Sequence, residues 1–567
     1  MKKKLSPKGI ESFSNGASLL ILCANILGKK AFFVLVCLSF FAIFLDIMSV
    51  ALLIPLLKIA DGSRTDWITN SWLGKFINIQ DFNSIELVVL MFFVFIAVKN
   101  IALYFINSKK YQYIFQIQSS LSESIFQKYL GKKFKEYSGI HLSEITRNTV
   151  SEVGHLVSLV TTLFDLIAEI IIFISIALIV INTNYFVALF ILIYGITSYL
   201  IYRVHKNTLG RLGKLRIDGE KSRLKIIQDT YNSIKEIKIY NSEKFYLNKY
   251  SDPNISVAST HALENSIRPV NKYIFEVLTV LFMYFFIRNY SVDGSYYSQL
   301  FLIAAALFRI FPSLNRIIGA LQQMSVHKHA LKKINELYFA VGESWDKESH
   351  PQKLQDFSIL QYQLERFSIN DQRIFKDLEI SIEKKNKITL LQAESGFGKS
   401  VLISCLTGLF DAEGRYLIDG QEVDCNQIRK MNLFSLNSQS APLLNDSIFN
   451  NIIFDQNKSE VNISQLNLAI EVTGLKNILS NLDSGINTIV SDRGHNFSGG
   501  QGQRIALART IYKNRKIMVL DESLSALDKN SQSEILRALR HSYAGNVLLI
   551  THDVLDSDLY DEVIKID

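Results

Sequence analysis

Ala393-Glu394-Ser395-Gly396-Phe397-Gly398-Lys399-Ser400 is the stretch on which the reading of this 567-residue chain turns. It keeps the spacing Gly-x-x-x-x-Gly-Lys-Ser/Thr of a phosphate-binding loop, with Ala393 in place of the first glycine. Before it, Ile388-Thr389-Leu390-Leu391-Gln392 reads as a strand, and after it Val401 to Phe410 reads as a helix. That context makes the short motif a credible site. Backbone N–H groups of the loop and helix terminus surround phosphate oxygens, Lys399 brings positive charge to the transferred group, and the Ser400 hydroxyl suits Mg²⁺. Ala393 removes backbone latitude rather than a ligand. If the position requires positive φ, alanine costs more than glycine and shifts the turn, whereas a negative φ leaves the loop intact.

Working toward the amino terminus, the composition changes character. The chain is 48% hydrophobic with 37 Phe and 24 Tyr, and its long apolar segments all precede the loop. Six of them, near residues 31–57, 86–106, 155–181, 184–202, 273–289 and 298–322, meet the ~20-residue length of a spanning helix. The connections 107–154 and 203–272 are long, charged and helical in pattern, whereas 181–184 and 288–297 are short. Basic long connections belong on the cytoplasmic side, which places both termini there as well. The expected divisions are an amino-terminal cytoplasmic or interfacial segment (1–30), a transmembrane domain (31–324), a linker (325–352) and a nucleotide-binding domain (353–567).

The net charge of +8 comes largely from clusters beside apolar segments: Lys2 to Lys4, Lys29-Lys30, Lys109-Lys110, Lys132 to Lys135 and Arg203 to Arg216. Basic flanks of membrane helices account for that distribution, so no nucleic-acid partner is expected. Cys23, Cys37, Cys405 and Cys425 have neither metal-ligand spacing nor the density of a disulfide scaffold. The basic start followed by Ala17 to Leu27 looks superficially like a signal peptide, but Lys29-Lys30 follows without a convincing cleavage site.

Asp46, Pro55, Asn100, Asp165, Glu169, Glu276, Arg309, Pro312 and Arg316 lie within or near the apolar spans. An ionisable group at membrane depth is costly unless it is paired or faces a wet cavity. Arg309 and Arg316 are seven residues apart and can share a helix face. With Arg268 they are expected to receive an anionic headgroup, the competing reading being helix–helix pairing.

Toward the carboxyl terminus, Lys516-Ile517-Met518-Val519-Leu520-Asp521-Glu522 is a buried-strand pattern ending in two carboxylates. Asp521 is expected to organise Mg²⁺, and Glu522 to orient and activate the attacking water. Just before this strand stands Phe497-Ser498-Gly499-Gly500-Gln501-Gly502-Gln503-Arg504.

With these motifs together, the sequence resembles ATP-binding cassette (ABC) exporters whose membrane and ATPase domains are fused. The likeness runs from about residue 31 to the end, with Phe497 replacing the Leu of the family pattern Leu-Ser-Gly-Gly-Gln. The resemblance implies a multi-domain membrane protein: a six-helix α-helical type I exporter transmembrane domain plus an α/β P-loop ATPase domain. It further implies a homodimer in the lipid bilayer of a bacterial inner membrane, with the ATPase domain cytoplasmic.

The resemblance also implies residue roles. Glu394, Ser395, Gly396, Phe397, Gly398, Lys399, Ser400 and Val401 contact ATP, and Ser498, Gly499, Gly500 and Gln501 complete the site of the opposite subunit. Ser400, Gln439 and Asp521 hold Mg²⁺, while Glu522, His552, Lys399 and Gln439 serve turnover. Asp492-Arg493-Gly494 matches the segment before the signature, normally with Glu at the Asp position, and Ser525-Ala526-Leu527-Asp528 matches the loop crossing the dimer interface. Ile369 falls where an aromatic residue normally stacks on adenine, so the base loses ~0.5–1.5 kcal/mol of stacking or recruits Phe367 or Phe375. Short coupling helices are expected within Gly139 to Arg147 and Asp229 to Tyr240.

For the cargo, Asp46 to Pro55, Asn100, Ala306 to Arg316 and Ser233 to Lys238 look most like bacterial flippases of lipid-linked oligosaccharides. The expected cargo is therefore an anionic lipid-linked oligosaccharide or related phosphoglycolipid. The alternatives are export of another lipid, a peptide or a drug, and a nontransporting ATP-dependent membrane regulator.

Overall fold

Apolar runs continue into charged but equally helical sequence, and this sets the length of the amino-terminal elements. The computed structural model describes residues 16–51, 84–137, 139–181, 185–289, 296–339, 357–369, 372–383, 387–394, 397–454, 460–491, 496–552 and 555–566. The chain divides into two units, one of Met1–Lys132 with Gly139–Trp345 and one of Lys133–Ser138 with Asp346–Asp567.

The first unit is helical: α1 (Gly16–Leu27), α2 (Lys29–Ala51), α3 (Ser84–Leu130), then, after a short helix α4 (Phe134–Tyr137) that groups with the second unit, α5 (Leu142–Thr146), α6 (Glu152–Ile181), α7 (Tyr185–Asn232), α8 (Ile234–Ile239), α9 (Glu243–Ile267), α10 (Val270–Asn289) and α11 (Tyr296–Phe339). The described parts of the six apolar segments lie in α2, α3, α6, α7, α10 and α11; residues 52–57 of the first are outside the described residues. Among the described residues, three stretches are long and apolar enough to cross a membrane: Lys29–Ser49, Val89–Leu130 and Leu142–Leu178.

Helix α3 has 47 residues and α7 has 48. At ~1.5 Å per residue each reaches roughly 70 Å, more than twice the ~30 Å hydrocarbon thickness. Their polar ends therefore stand clear of lipid. Helix α11 likewise continues to Phe339, so the linker expected from residue 325 does not begin there. No Gly or Pro interrupts Ser325 to Phe339, and Val326 and Ile334 are buried. The expected linker residues 340–352 lie outside the described residues.

Two apolar clusters hold this unit. One joins Leu19, Leu22 and Cys23 of α1 to Leu35, Ile114, Ile117, Leu156 and Ile334, which makes α1 an integral packing element. The other gathers Ile43, Ile172, Phe190, Tyr194, Phe275, Leu314 and Ile318. Phe33, Phe40, Phe93, Val98, Ile174 and Leu178 remain exposed on the apolar helices, as a lipid-facing surface requires.

The acidic side chains of these helices are paired. Lys99 Nζ donates to Asp46 at 2.9 Å and to Ser49 Oγ at 3.2 Å. Lys110 Nζ lies 2.8 Å from Asp165, and Arg316 binds Glu169 through two nitrogens. Pairing offsets the desolvation that each charge meets in an apolar bundle.

The second unit contains two sheets. Strands β1 (Ile359–Ile369), β2 (Gln372–Glu383), β4 (Glu413–Ile418) and β5 (Gln421–Val423) form an antiparallel sheet in the order β2-β1-β4-β5. Asp419 (φ 49°) and Gly420 (φ 83°) make the two-residue β4–β5 turn, whose twist needs positive φ at both places. Strands β3 (Ile388–Ala393), β6 (Phe434–Asn437), β7 (Ile517–Asp521), β8 (Asn546–Ile550) and β9 (Glu562–Ile566) form a parallel sheet in the order β6-β7-β8-β3-β9.

Every residue of β7 and β8 is buried. Alternate residues serve opposite faces: Leu390, Met518, Leu520, Val547 and Leu549 enter one core, while Leu391, Ile517, Val519, Leu548 and Ile550 enter the other. A strand covered on both faces reads as a continuous apolar run, which is why these strands are visible in the sequence. Helix α12 (Lys399–Leu406) follows β3, and α17 (Gly499–Tyr512) precedes β7; between them lie α13 (Cys425–Met431), α14 (Ile448–Ile453), α15 (Ile463–Val472) and α16 (Leu475–Ser480). Helix α18 (Lys529–Ser542) separates β7 from β8.

Candidate active site

Strands β7, β8 and β3 are neighbours in the parallel sheet, and the site forms just past their carboxyl ends. Ala393 ends β3, paired in register with Ile566 of β9, and is not among the residues with positive φ. The position is extended, so alanine introduces no left-handed strain. Ser395 and Gly396 lie outside the described residues. The loop closes with Phe397 N donating to the Glu394 carbonyl at 3.3 Å. Gly398, at φ 95°, then leads into α12, a conformation that favours glycine. Lys399 and Ser400 open the helix, where N–H groups without intrahelical partners point outward. Val401 is half-buried against the core.

From these elements the polar side chains converge. Ser400 Oγ donates to Asp521 Oδ2 at 3.0 Å. Gln439 Nε2 donates to Glu522 Oε2 at 2.7 Å, and His552 Nε2 lies 2.9 Å from Glu522 Oε1. Lys399 Nζ is 3.4 Å from His552 Nδ1 and 3.1 Å from Nε2. One tautomer serves both neighbours: Nε2–H donates to Glu522 while Nδ1 accepts from Lys399. The structure thus brings together Lys399, Ser400, Gln439, Asp521, Glu522 and His552 from four separate stretches of the sequence.

Glu522 itself sits at φ 49°, a conformation that costs a non-glycine residue about 1–3 kcal/mol. Its N–H is tied to the Ile550 carbonyl at 2.9 Å, and its own carbonyl accepts from Ser525 N. The turn aims the carboxylate away from the end of β7. Burial pushes the Asp521 carboxyl above its ordinary range, opposed by the Ser400 hydrogen bond; the Glu522 charge adds to the rise and Lys399 counters it. A desolvated carboxylate beside a hydroxyl is an oxygen donor set that suits a hard divalent cation such as Mg²⁺.

The signature run stands apart from this group. Ser498 caps α17, its Oγ accepting from Gln501 N at 3.3 Å while Gln501 Oε1 accepts from Ser498 N at 3.0 Å. This reciprocal box fixes the start of a helix whose remaining N–H groups suit an anion. A Cβ on Gly500 would lie 3.2 Å from both the Ala526 carbonyl and Leu527, so glycine lets α17 approach the 525–528 loop. Gln503 Oε1 also accepts from Ala526 N at 3.0 Å. That tether was missed by motif reading, although Gln503 lies in the quoted run. Among the described residues, no hydrogen bond or ion pair joins Ser498, Gly499, Gly500 or Gln501 to the Lys399 group. Residues 492–494 lie outside the described residues.

Other expectations meet structural corrections. Phe367 and Phe375 are core residues, 4% and 3% exposed, and neither ring is free to stack on a base. Ile369 ends β1 opposite Gln372, and its side chain is outside the described residues. Arg316 is already engaged by Glu169, and Arg268 by Glu264, itself 4% exposed. Both guanidinium groups thus have carboxylate partners, Glu264 being shared with Arg216 at 3.6 Å. Arg309 lies on α11, with its side chain outside the described residues. By contacts, Gly139 to Arg147 groups with the helical unit, and Lys133–Ser138 with the nucleotide unit. There Lys133 Nζ meets Asp411 Oδ2 at 2.8 Å and the Phe134 ring meets Phe410.

Residues 375–525 match the family model described as ABC transporter. An export ATP-binding/permease protein of Rickettsia prowazekii is 23% identical over 491 residues, 82% of this chain and 81% of the relative. The ATP-dependent lipid A-core flippase of Cupriavidus pinatubonensis is 32% identical over 185 residues, 32% of this chain and 31% of the flippase. The mitochondrial iron-sulfur clusters transporter ATM1 of Candida glabrata is 28% identical over 330 residues, 56% of this chain and 44% of the transporter. The alignments to the last two thus span under half of those relatives. In fold, the chain superimposes on a bacterial Atm1-family ABC exporter solved with ATP bound, with a TM-score of 0.76, 19% identity, 94% of this chain and 93% of that one.

Proposed function

We propose, from the premise that this chain is an ATP-hydrolysing ABC transporter with fused membrane and ATPase segments, that two copies form one exporter with six spanning helices each. The observation that carries the reading is the division of the nucleotide machinery. Lys399, Ser400, Gln439, Asp521, Glu522 and His552 converge, while among the described residues no hydrogen bond or ion pair links Ser498 and Gly499 at the α17 terminus to them. A second copy would bring its own α17 terminus to the nucleotide held by the first. Each ATP would then lie between two chains.

Within such a site the roles follow from chemistry. The loop N–H groups and Lys399 hold the phosphates, and Phe397, Gly398 and Val401 keep the loop and helix in register. Ser400 and Asp521, with Gln439, are the oxygen donors for Mg²⁺, which when bound neutralises phosphate charge. Glu522 accepts a proton from the attacking water, and His552 and Gln439 hold its carboxylate in place. ATP drives the membrane helices only through its different affinity for the closed and open dimer. The basic, helical connections and both termini belong on the cytoplasmic side of a bacterial inner membrane, with the ATPase unit.

For the cargo, we favour an amphipathic lipid, peptide or drug over a lipid-linked oligosaccharide. Arg268 and Arg316, the proposed headgroup receivers, each already pair with a carboxylate, Glu264 (shared with Arg216) and Glu169. The relatives themselves are named for unlike cargoes, lipid A-core in one and iron-sulfur clusters in another. Native mass spectrometry of the Glu522→Gln protein with ATP and Mg²⁺ tests the dimer: two chains with two nucleotides are expected, and one chain retaining its nucleotide alone would overturn it. Lipid analysis of the same preparation tests the cargo. A stoichiometric polyprenyl diphosphate glycolipid would restore the oligosaccharide reading.

A further inference from the structure

Around Arg216 the long helices of the first unit press together. A Cβ on Gly213 would lie 2.3 Å from the Val326 carbonyl oxygen, and one on Gly219 2.5 Å from Val257 Cγ2. Helix α7 therefore has no slack against α11 on one side of Arg216 or against α9 on the other. Arg216, 4% exposed, reaches across to His327 of α11, with a terminal nitrogen 3.2 Å from Nδ1. A guanidinium only donates, so Nδ1 is the unprotonated nitrogen of a neutral ring. The His155 ring of α6 stacks on His327 with centroids 5.0 Å apart. Arg216 also lies 3.6 Å from Glu264 of α9 and 3.9 Å from Glu220 of its own helix, and Glu220 is 3.9 Å from His155 Nε2.

We infer that Arg216, His327 and His155 form an acid-released latch between α6, α7 and α11, closed while both imidazoles are neutral and opened when His327 takes up a proton. The charges around it are already matched. Arg147, just before α6, meets Glu152 at 3.8 Å, while Arg216 and Arg268 stand against Glu220 and Glu264. With three arginines facing three glutamates, an imidazolium would be a surplus cation 3.2 Å from a guanidinium. His261 of α9 is exposed and Arg223 of α7 turns to the Tyr250 ring, so neither supplies a negative charge. Arg147 Nε, Glu152 Oε2, His155 Nε2 and Arg216 Nε are buried without a hydrogen-bond partner among the described residues. The cluster is thus held by packing more than by bonding, and it can part. Burial, and next the Arg216 charge, pushes the His327 ring from its ordinary 6.5 down to about 3. A base whose value falls on closing stabilises the closed form above 6.5, and that stability is lost as pH drops toward the lowered value. Arg216 and His327 lie past the apolar segments 184–202 and 298–322, where water can deliver the proton.

Amide-exchange mass spectrometry of the full chain in nanodiscs tests the latch at about pH 7.5 and about pH 5.5, each rate divided by the intrinsic chemical rate at that pH. A proton taken up only by the open form makes opening about tenfold more frequent over that interval. Exchange in peptides covering residues 213–220 and 326–327 should rise by about that factor, with α1 unchanged. His327→Gln keeps an acceptor for Arg216 but cannot be charged, and should be equally protected at both pH values. Should that variant lose protection at both, Arg216→Gln decides: without the cation, the acid-driven rise should shrink to under about threefold. No rise in the parent, or a rise as large as the parent's in either variant, overturns the inference.

Discussion

Replacing Arg316 by methionine removes the cation that grips Glu169 and leaves the carboxylate stranded in a helix bundle. The Glu169 side chain is 13% exposed and that of Arg316 48%. Arg316 approaches with Nε and a terminal nitrogen, the latter at 3.3 Å, and Ser313 Oγ donates to the same carboxylate at 2.7 Å. Breaking a fully buried pair costs ~3–5 kcal/mol, whereas an exposed pair is worth ~0–1 kcal/mol. With one partner buried and the other half-exposed, the loss should be about 1–2 kcal/mol, a fall of about 1–2 °C in melting temperature for a chain of this length. Scanning fluorimetry of the detergent-purified protein would compare Arg316→Met, Glu169→Gln and the double variant with the parent. The double variant should recover most of the loss, because it removes both charges and leaves neither stranded. An Arg316→Met protein as stable as the parent, or a double variant equal to the sum of the singles, would refute the pairing. A cargo-receiving cation would instead leave stability alone and weaken cargo-stimulated ATP turnover.

Glu522→Gln should lower phosphate release by about 10²–10⁴-fold while ATP still binds, and retention of the full rate would remove Glu522 from its role. Ala393→Gly should leave KM for ATP within about twofold of the parent and lower stability by about 0.5–1 kcal/mol, since the position is extended; a sharp gain in affinity would show that it needs positive φ. The Lys133 ammonium bonded to Asp411 holds that carboxyl below its ordinary value of 3.8. A folded-state value below the unfolded one stabilises above the ordinary value and is lost as pH falls through the lowered one. The melting gap between the parent and Asp411→Asn should therefore be full above about pH 5, narrow as pH falls past 3.8 and vanish only below the lowered value, and a gap independent of pH would count against the pair.

Much of the active site was legible because its parts are local. The loop spacing from 393 to 400, the apolar run into Asp521-Glu522 and the signature run each carry their geometry within a few residues. Distant pairs left no such trace. Glu169 and Arg316 are 147 residues apart, and either could have faced a cavity. Phe367 and Phe375 looked available to a base, but their shared register buries both. Helix α11 runs on past residue 325, where the linker was expected, because a change of composition is not a change of conformation: charged residues continue α11 as readily as apolar ones.

The sequence alone determined that this chain combines long apolar helices with a phosphate-binding α/β unit, since 3.6-residue periodicity, buried-strand runs and loop spacing are properties of short segments. Tertiary structure alone decided that Ala393 is extended, that Arg268 and Arg316 pair with Glu264 and Glu169, and that Phe134 meets Phe410. Each of those outcomes depends on which residues meet after the chain has closed over tens or hundreds of positions. No local pattern encodes that meeting, because it is the packing of the whole core that selects it.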